Sequence, residues 1–446
     1  MRRLLFAALA LTGLSGCASL QSPDPYSKIV APMAANLPDG FVATSQLPRT
    51  AFTPDPILND LIARVPQSPD VTVATARLAE ARARLAAARA GLLPKVQGSA
   101  SLVDFDGDTV SSPDSASRGI ALDLPLDFFG TNRTRARAAE ARAEEAAFNK
   151  DRVSALTRAT LSDLYIALRT AQNQSSVTME SLDSANDTLS LATSRQRAGL
   201  ETGLGVAQAT SNRDAVAARL PSFAQAEIAA RLGLEALLGD LPHAQLERLR
   251  PKGQIPRFDL ARADVAPAQW VRMRADIQAA DRRLKASGLD ARAAQLDRYP
   301  ALSLNGLITA SQARGGPTSS VSSLSAKLMS TLFDFGRLQA LADAANAQAQ
   351  AQASLYRQLV LSALVQVETQ ASAVRRGQDT ITAQSANVAS AQDQARLARV
   401  RYTSGLSTFL DVLTAERGVY DAQSALVAAT GETARAEVGL ILALGY

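Results

Sequence analysis

Two long stretches of the chain space their apolar residues as a helix does. Residues 131–197 and 337–402 contain no proline, and leucines such as Leu161, Leu164 and Leu168 recur at intervals of three and four. At about 1.5 Å per residue, a continuous helix of either length would extend for about 100 Å. The pattern therefore predicts two helices far longer than those of ordinary globular domains.

Each long helix is followed by a glycine and then by a second helical pattern. Gly199 and Gly405 can take the left-handed conformation that ends a helix. Return helices are expected over residues 204–238 and 408–444, and Pro221 should kink the first of them.

The period changes to two before each long helix. Leu302, Leu304 and Ile308 alternate with polar residues, as in a strand with one apolar face. The predicted strands cover residues 95–104, 117–127, 300–311 and 320–332.

These strands have two interpretations. They could be ordinary amphipathic hairpins packed on a core, or they could span a membrane with one face in lipid. Four strands cannot close on themselves, and an open sheet edge in lipid leaves backbone groups unpaired. Membrane-spanning strands would therefore require several chains to share one barrel.

The chain matches itself at an offset of 206 residues. Pro94 corresponds to Pro300, Gly130 to Gly336, and Gly199 to Gly405. Proline and glycine landmarks kept in register indicate a tandem duplication. We expect repeat 1 over residues 70–239, a proline-rich linker over 240–267, and repeat 2 over 268–446.

The first residues have the features of a secretory signal. Residues 1–16 contain two arginines, an apolar run and then small residues. The motif that ends at Cys17 looks like the lipobox of bacterial lipoproteins, which predicts acylation of this cysteine. Residues 17–69 are rich in proline and are expected to run extended, with a short helix near residues 57–65.

Composition excludes several classes of function. Only 4% of residues are aromatic, which suits thin helical layers. The formal charge of +5 falls to +3 without Arg2 and Arg3, which is too mild to indicate nucleic acid. One histidine, His243, and one cysteine leave little material for catalysis, so we expect no enzyme activity, no cofactor and no metal site.

Several motifs together resemble one family. The residues concerned are Leu14–Cys17, Leu126–Gly130, Arg274–Asp281, Tyr299–Leu304, Phe333–Arg337 and Arg401–Leu406. In this order and spacing they resemble the TolC-like outer-membrane efflux proteins, in the lipoprotein (NodT-type) branch.

The resemblance implies a mixed α+β membrane protein with two repeats, each made of helix, strand, strand, long helix and helix. It implies a homotrimer that shares one 12-stranded transmembrane β-barrel, continued by a long α-helical barrel in the periplasm. The lipid-anchored protein would lie in the bacterial outer membrane.

The resemblance also implies which residues carry function. Tyr402 and Asp411 would form a pore gate at the periplasmic tip, although Asp411 also fits a capping box that begins at Thr408. The turns at Gly199, Leu200, Gly405 and Leu406 would dock an adaptor protein, or would simply cap helices. Ser407 and Thr414 stand where the best-known member has an arginine and a second aspartate.

The implied function is a passive exit duct for small molecules such as drugs, toxic compounds or metal ions. Its partners would be a periplasmic adaptor (membrane fusion) protein, an inner-membrane pump of the resistance-nodulation-division type, and outer-membrane lipid. Type I protein secretion is an alternative use of the same duct. A coiled-coil scaffold lipoprotein without a pore is an alternative of a different class.

Overall fold

The computed structural model describes residues 55–103, 115–242, 249–258, 273–313 and 316–445. The expected signal peptide, Cys17 and His243 lie outside these residues. The chain forms two compact units. One contains the described residues of 77–147 and 278–359, and the other contains those of 55–76, 148–277 and 360–445.

Eight α-helices and four strands make up the described residues. In chain order they are α1 (Pro56–Arg64), α2 (Pro69–Ala90), β1 (Lys95–Val103), β2 (Ser115–Leu126), α3 (Thr131–Arg197), α4 (Gly203–Ala217), α5 (Leu220–Leu238), α6 (Ala275–Leu296), β3 (Ala301–Ala313), β4 (Thr318–Met329), α7 (Arg337–Thr403) and α8 (Phe409–Ala443). A short 3₁₀ turn, Val65–Gln67, follows α1.

An aspartate just before each long helix caps its first turn. The carboxylate of Asp127 accepts hydrogen bonds from the backbone N–H groups of Asn132 and Arg133, at 3.0 and 2.8 Å. Asp334, which the repeat aligns with Phe128 and not with Asp127, accepts from the N–H of Leu338 at 2.9 Å. These N–H groups have no partner inside a helix, so the two aspartates fix where the long helices start.

The first return helix is interrupted and not merely kinked. Its two parts, α4 and α5, are separated by a turn at Ala218 and Arg219. Pro221 lies in the first turn of α5, where its missing N–H is not needed. The expectation of one continuous helix over 204–238 was therefore wrong, because the proline starts a new helix. In the second repeat α8 is unbroken.

The four strands form one antiparallel sheet in the order β1-β2-β3-β4. Val96 lies opposite Leu122 in the first hairpin, and Leu302 lies opposite Leu328 in the second. Both members of the second pair are 206 residues after those of the first. The two hairpins therefore share one register.

One face of the sheet carries apolar side chains across all four strands. Val96, Leu122, Gly306 and Leu324 form one continuous row of paired positions. Residues one position away, such as Ser303 and Asn305, alternate to the other face. Within the described residues, the outer edges of β1 and β4 pair with no other strand.

The unit that contains residues 148–242 has its own apolar core. Leu58 and Leu61 of α1 are fully buried there against Leu161 and Leu168 of α3 and Leu234 of α5. Alanines and leucines fill this core, as the composition indicates.

A buried arginine connects the linker to this core. Arg169 donates to the carbonyl of Pro251 at 2.6 Å and to the hydroxyl of Tyr165. That hydroxyl donates in turn to Asp55 at 2.6 Å. A buried charge needs such partners, and here they hold both the linker and the start of α1 against α3.

Among the described residues, no helix has an apolar stretch long enough to cross a membrane.

Candidate functional site at the helix turns

The two turns that end α3 and α7 have the same backbone geometry. Gly199 and Gly405 have φ angles of +70° and +76°. The N–H of Leu200 donates to the carbonyl of Arg195, and that of Leu406 donates to the carbonyl of Arg401, each at 2.8 Å. This is the Schellman motif, which explains why both turns contain glycine.

The leucines that follow these glycines are exposed. Leu200 is 65% exposed and Leu406 is 70% exposed, and Leu204 and Leu410 beyond them also face solvent. A Schellman turn usually packs the residue at this position against its own helix. Here the leucines leave a small apolar surface open at the turns.

Tyr402 lies at the centre of a small cluster beneath the turns. Its ring is only 3% exposed and lies 5.4 Å from the ring of Phe409. The guanidinium of Arg195 lies over the ring at 4.6 Å from its centre. The Tyr402 hydroxyl donates to the carboxylate of Glu201 at 2.6 Å, and this hydrogen bond joins the two turns.

The electrostatics of this pair follow from the hydrogen bond. Burial, and then the bond to Glu201, raise the pKa of Tyr402 to about 12. The same bond is the main cause that lowers the pKa of Glu201, with smaller help from Thr202. At neutral pH the tyrosine is therefore protonated and the glutamate is charged, as a charge-assisted hydrogen bond requires.

Asp411 caps the start of α8. Its carboxylate accepts from the backbone N–H of Thr408 at 2.9 Å, and the Thr408 hydroxyl accepts from the N–H of Asp411. The Asp411 side chain is exposed, and the bonds from Thr408 lower its pKa. The capping box predicted from the sequence is present, and its carboxylate is charged and open to solvent.

A second polar contact lies further along the same helices. Glu416 accepts from the hydroxyl of Thr188 at 2.7 Å and from Arg399 at 2.8 Å. The three residues thereby connect α3, α7 and α8. Arg399 and Glu416 also line an open cleft of about 750 Å³ that contains three further arginines, Arg219, Arg396 and Arg417.

Sequence reasoning singled out Tyr402 but missed its partners. Glu201, Arg195 and Phe409 belong to repeat 1 or to the start of α8, and none is part of a family motif quoted above. The position of Glu201, directly after Gly199 and Leu200, was the available signal. An acidic residue in the turn after α3 can reach the end of α7, where Tyr402 lies, because the two turns are neighbours.

No cluster of three or more histidine, cysteine, aspartate or glutamate side chains able to hold a metal ion occurs in the described part of the chain.

Known proteins resemble this chain along most of its length. OpmQ, the pyoverdine export outer membrane protein of Pseudomonas aeruginosa, is 27% identical over 408 residues, which are 87% of this chain and 85% of that protein. Nodulation protein T of Rhizobium leguminosarum bv. trifolii is 28% identical, over 97% of this chain and 95% of the relative. TtgC, a toluene efflux pump outer membrane protein of Pseudomonas putida, is 26% identical, with 100% and 95% covered.

Solved structures agree with these relatives. The outer-membrane channel OprN has a TM-score of 0.82 and 28% identity, covering 92% of this chain and 97% of its own. VceC of Vibrio cholerae has a TM-score of 0.78 and 25% identity, with 87% and 96% covered. The outer membrane efflux protein family itself matches residues 65–240 and 267–446. The chain belongs to the outer membrane efflux protein family.

Proposed function

We propose that three copies of this chain form a passive exit duct of a tripartite pump. The protein is an outer-membrane channel component of an efflux pump.

The open edges of the sheet support assembly. In lipid, the unpaired N–H and C=O groups along β1 and β4 would each cost several kcal/mol. The strands alternate in direction, so the β4 edge of one copy can pair antiparallel with the β1 edge of the next. Three copies would give a closed sheet of 12 strands.

The contact between Tyr402 and Glu201 supports a gate at the turns. A buried hydroxyl bonded to a charged carboxylate holds the end of α7 against the turn after α3. Asp411 is exposed close to this contact in sequence, at the start of α8. We infer that the closed gate depends on the Tyr402 contact and that Asp411 supplies negative charge to the pore.

The exposed leucines support docking of a periplasmic adaptor. Leu200 and Leu406 are presented by two turns of the same geometry. Replacing Leu406 with serine should leave the Schellman turn and the fold intact but remove drug resistance in a complementation assay. Leu341→Ser, an exposed leucine elsewhere on α7, is the matched control. Loss of the folded trimer in Leu406→Ser would instead indicate that the leucine is structural.

The names of the relatives suggest the class of substrate. OpmQ is named for pyoverdine export and TtgC for toluene efflux, and both compounds are small molecules. We infer that this duct exports small molecules handed over by an inner-membrane pump of the resistance-nodulation-division type.

The lipid anchor is part of the proposal. Acylation of Cys17, which lies outside the described residues, would tether the mature N-terminus to the outer membrane. Mass spectrometry of the mature protein should show acyl chains on this cysteine, and Cys17→Ser should abolish them.

Reconstitution into planar bilayers tests the duct itself. The purified protein should give discrete conductance steps, whereas a scaffold lipoprotein would give none. Absence of conductance from a folded, membrane-inserted protein would overturn the proposal.

A further inference from the structure

The open cleft of about 750 Å³ among α3, α4, α7 and α8 has the size of a site for a small organic molecule. Its lining includes charged side chains of both signs. The arginines are Arg219, Arg396, Arg399 and Arg417, and the acids are Glu180, Glu416 and Asp421. A ligand of this cleft would therefore meet both cations and carboxylates.

One oxygen of the Glu416 carboxylate has no hydrogen-bond partner. Oε1 accepts from the hydroxyl of Thr188 and from Arg399, at 2.7 and 2.8 Å. Oε2 is buried, and it accepts no hydrogen bond within the described part of the chain. Because a buried acceptor without a donor is unfavourable, Glu416 favours a ligand that brings an N–H or O–H group to this oxygen.

The next residue of α8, Arg417, supplies donors to the same cleft. Its Nε donates to the side-chain oxygen of Asn212 in α4 at 2.7 Å, which orders the guanidinium at the cleft wall. Among the described residues, its two Nη groups donate to no acceptor and it forms no ion pair. The N–H groups of a guanidinium match the two oxygens of a carboxylate, so Arg417 favours a ligand with an acidic group.

Part of the lining is apolar or flat. Ala215 and Val216 of α4 line the cleft together with Ala395 of α7. The guanidinium of Arg219 lies over the ring of Tyr420, 4.5 Å from its centre. Guanidinium groups also stack on the rings of ligands. A rigid aromatic body fits such a lining, because it buries apolar surface and loses little conformational freedom on binding.

The charged residues that α7 and α8 contribute to the two contacts above have no counterpart in the first repeat. The positions 206 residues before Arg399, Glu416 and Arg417 are Thr193, Thr210 and Ser211. Repeat 1 therefore forms its long helix and its return helices without these charges. Their presence in repeat 2 points to a role beyond the packing of the helices.

We propose that this cleft binds a small aromatic acid that carries a hydroxyl group. The carboxylate of the ligand pairs with Arg417, its ring lies against the apolar lining, and its hydroxyl donates to Oε2 of Glu416. The four arginines of the lining disfavour a metal cation at this carboxylate. The site goes beyond the proposed function, because it requires neither the gate nor transport.

Isothermal titration calorimetry with para-hydroxycinnamate tests the site. The whole protein is kept in detergent, and the solution of the probe contains the same detergent. We expect saturable binding of one probe molecule per chain. Cinnamate lacks the hydroxyl and cannot donate to Glu416, so it should bind about tenfold more weakly.

Three variants locate the bound probe. Arg417→Gln should weaken the binding of para-hydroxycinnamate by about tenfold or more, because the carboxylate loses its charged partner. Arg376→Gln removes an exposed arginine of α7 outside the cleft and should bind as the wild type does. Ala215→Phe fills the cleft from an exposed position and removes no polar contact. It should abolish binding while the thermal midpoint without the probe stays at the wild-type value, so the test does not depend on the folding of Arg417→Gln.

Several results would overturn the site. Equal binding by the wild type, Arg417→Gln and Ala215→Phe would place the probe elsewhere, either on another surface or in the detergent micelle. Equal affinity for para-hydroxycinnamate and cinnamate would contradict the contact with Glu416 and the proposed class of ligand. Absence of binding to the wild type would show that the cleft takes no aromatic acid. Each of these results leaves the duct standing, because its conductance in planar bilayers is measured without the probe.

Discussion

At the scale of single residues, Tyr402 combines a buried ring, a hydrogen bond to Glu201 and a cation over its ring. A ring that is almost fully buried donates its hydroxyl to a charged acid in the turn of the other repeat. Arg195 lies over the same ring, so the cluster combines a cation, an aromatic side chain and an anion. Removing one atom of this cluster is therefore informative.

Tyr402→Phe removes the hydroxyl and keeps the ring in place. We expect a loss of about 1 kcal/mol in the free energy of unfolding, because one hydrogen bond is lost without leaving a cavity. Closure of the gate should weaken, so the resting conductance in planar bilayers should rise. Tyr420→Phe, which removes a hydroxyl that bonds Thr178 further from the turns, is the control. Equal resting conductance of the wild type, Tyr402→Phe and Tyr420→Phe would contradict the gate.

The same contact should depend on pH. The pKa of Glu201 is lowered below its ordinary value of 4.5. The charged carboxylate therefore contributes its full share to the free energy of unfolding above pH 4.5, and this share is lost as the pH falls through the lower pKa of the folded state. Tyr402 stays protonated throughout, since its pKa is raised to about 12. Conductance should be constant from pH 7 to pH 5 and should rise only in more acidic solution. Glu201→Gln should abolish that acidic step.

Asp411 allows its two roles to be separated. Asp411→Asn removes the charge and keeps an oxygen that can accept from Thr408, so the cap of α8 should remain and the thermal midpoint of the protein should not change. If three copies of Asp411 face one pore, block of the conductance by divalent cations should weaken in this variant. Thr408→Ala removes the hydroxyl of the cap but keeps the charge of Asp411. This variant should lower the thermal midpoint and leave the block by divalent cations unchanged. Unchanged cation block in Asp411→Asn would assign the residue to capping alone.

At the scale of elements, a glycine lets α7 and α8 approach each other closely. Gly377 is the one interior glycine of α7, and a Cβ at this position would lie 3.0 Å from Cγ2 of Thr433 in α8 and closer still to its hydroxyl. The Thr433 hydroxyl is committed to the carbonyl of Ala429, so it cannot move freely. The glycine is required by this close approach and not by any turn.

Gly377→Ala should therefore destabilise the protein, by about 1–3 kcal/mol, although alanine favours helix. Gly418→Ala in α8 has nothing within 4 Å of the new Cβ and should stabilise it by about 0.5–1 kcal/mol. Chemical denaturation of the two variants measures both values. A stabilising effect of Gly377→Ala would show that the helices separate easily.

The elements also show what a sequence can and cannot predict. The helix α3 matches the expected 131–197 range because the apolar period, the absence of proline and the aspartate and glycine at its two ends all agree. The break between α4 and α5 was missed, since proline fits either a kink or the first turn of a new helix. The mixed α+β class is confirmed by the relatives in structure.

Contacts between side chains from distant positions were the least predictable feature. The capping box at Thr408 and Asp411 is local, and its sequence pattern was sufficient. Glu201 and Tyr402 are 201 residues apart, and only the fold brings them together. The same applies to Arg169 and Pro251, because nothing in a proline-rich linker shows which carbonyl a buried arginine will use.

At the scale of the whole molecule, the proposed trimer depends on the two free strand edges. A chain with Ser101→Cys in β1 and Lys327→Cys in β4 places one thiol on each edge. A short bifunctional thiol reagent should then link three chains into a ring that runs as a trimer in denaturing gels. Cys17 is the only natural cysteine, so the unmodified protein should give no such product.

Moving one thiol to an inner strand provides the control. Ser311→Cys in β3 combined with Lys327→Cys puts the new thiol about three strand spacings from the neighbouring β4, beyond the reach of the reagent. If the edge pair gives only monomers while the folded protein conducts ions, the strands of different chains do not meet as proposed.

The shared register of the two hairpins has a further evolutionary consequence. Each repeat contributes one hairpin, and the two hairpins pair in the same register. An ancestor with a single repeat could therefore have closed a 12-stranded barrel from six identical chains. Glu201 belongs to the first half and Tyr402 to the second, and position 407, the counterpart of Glu201, is serine. Such an ancestor would have lacked the hydrogen bond between Tyr402 and Glu201, so the gate proposed above requires the two copies to have diverged after the duplication.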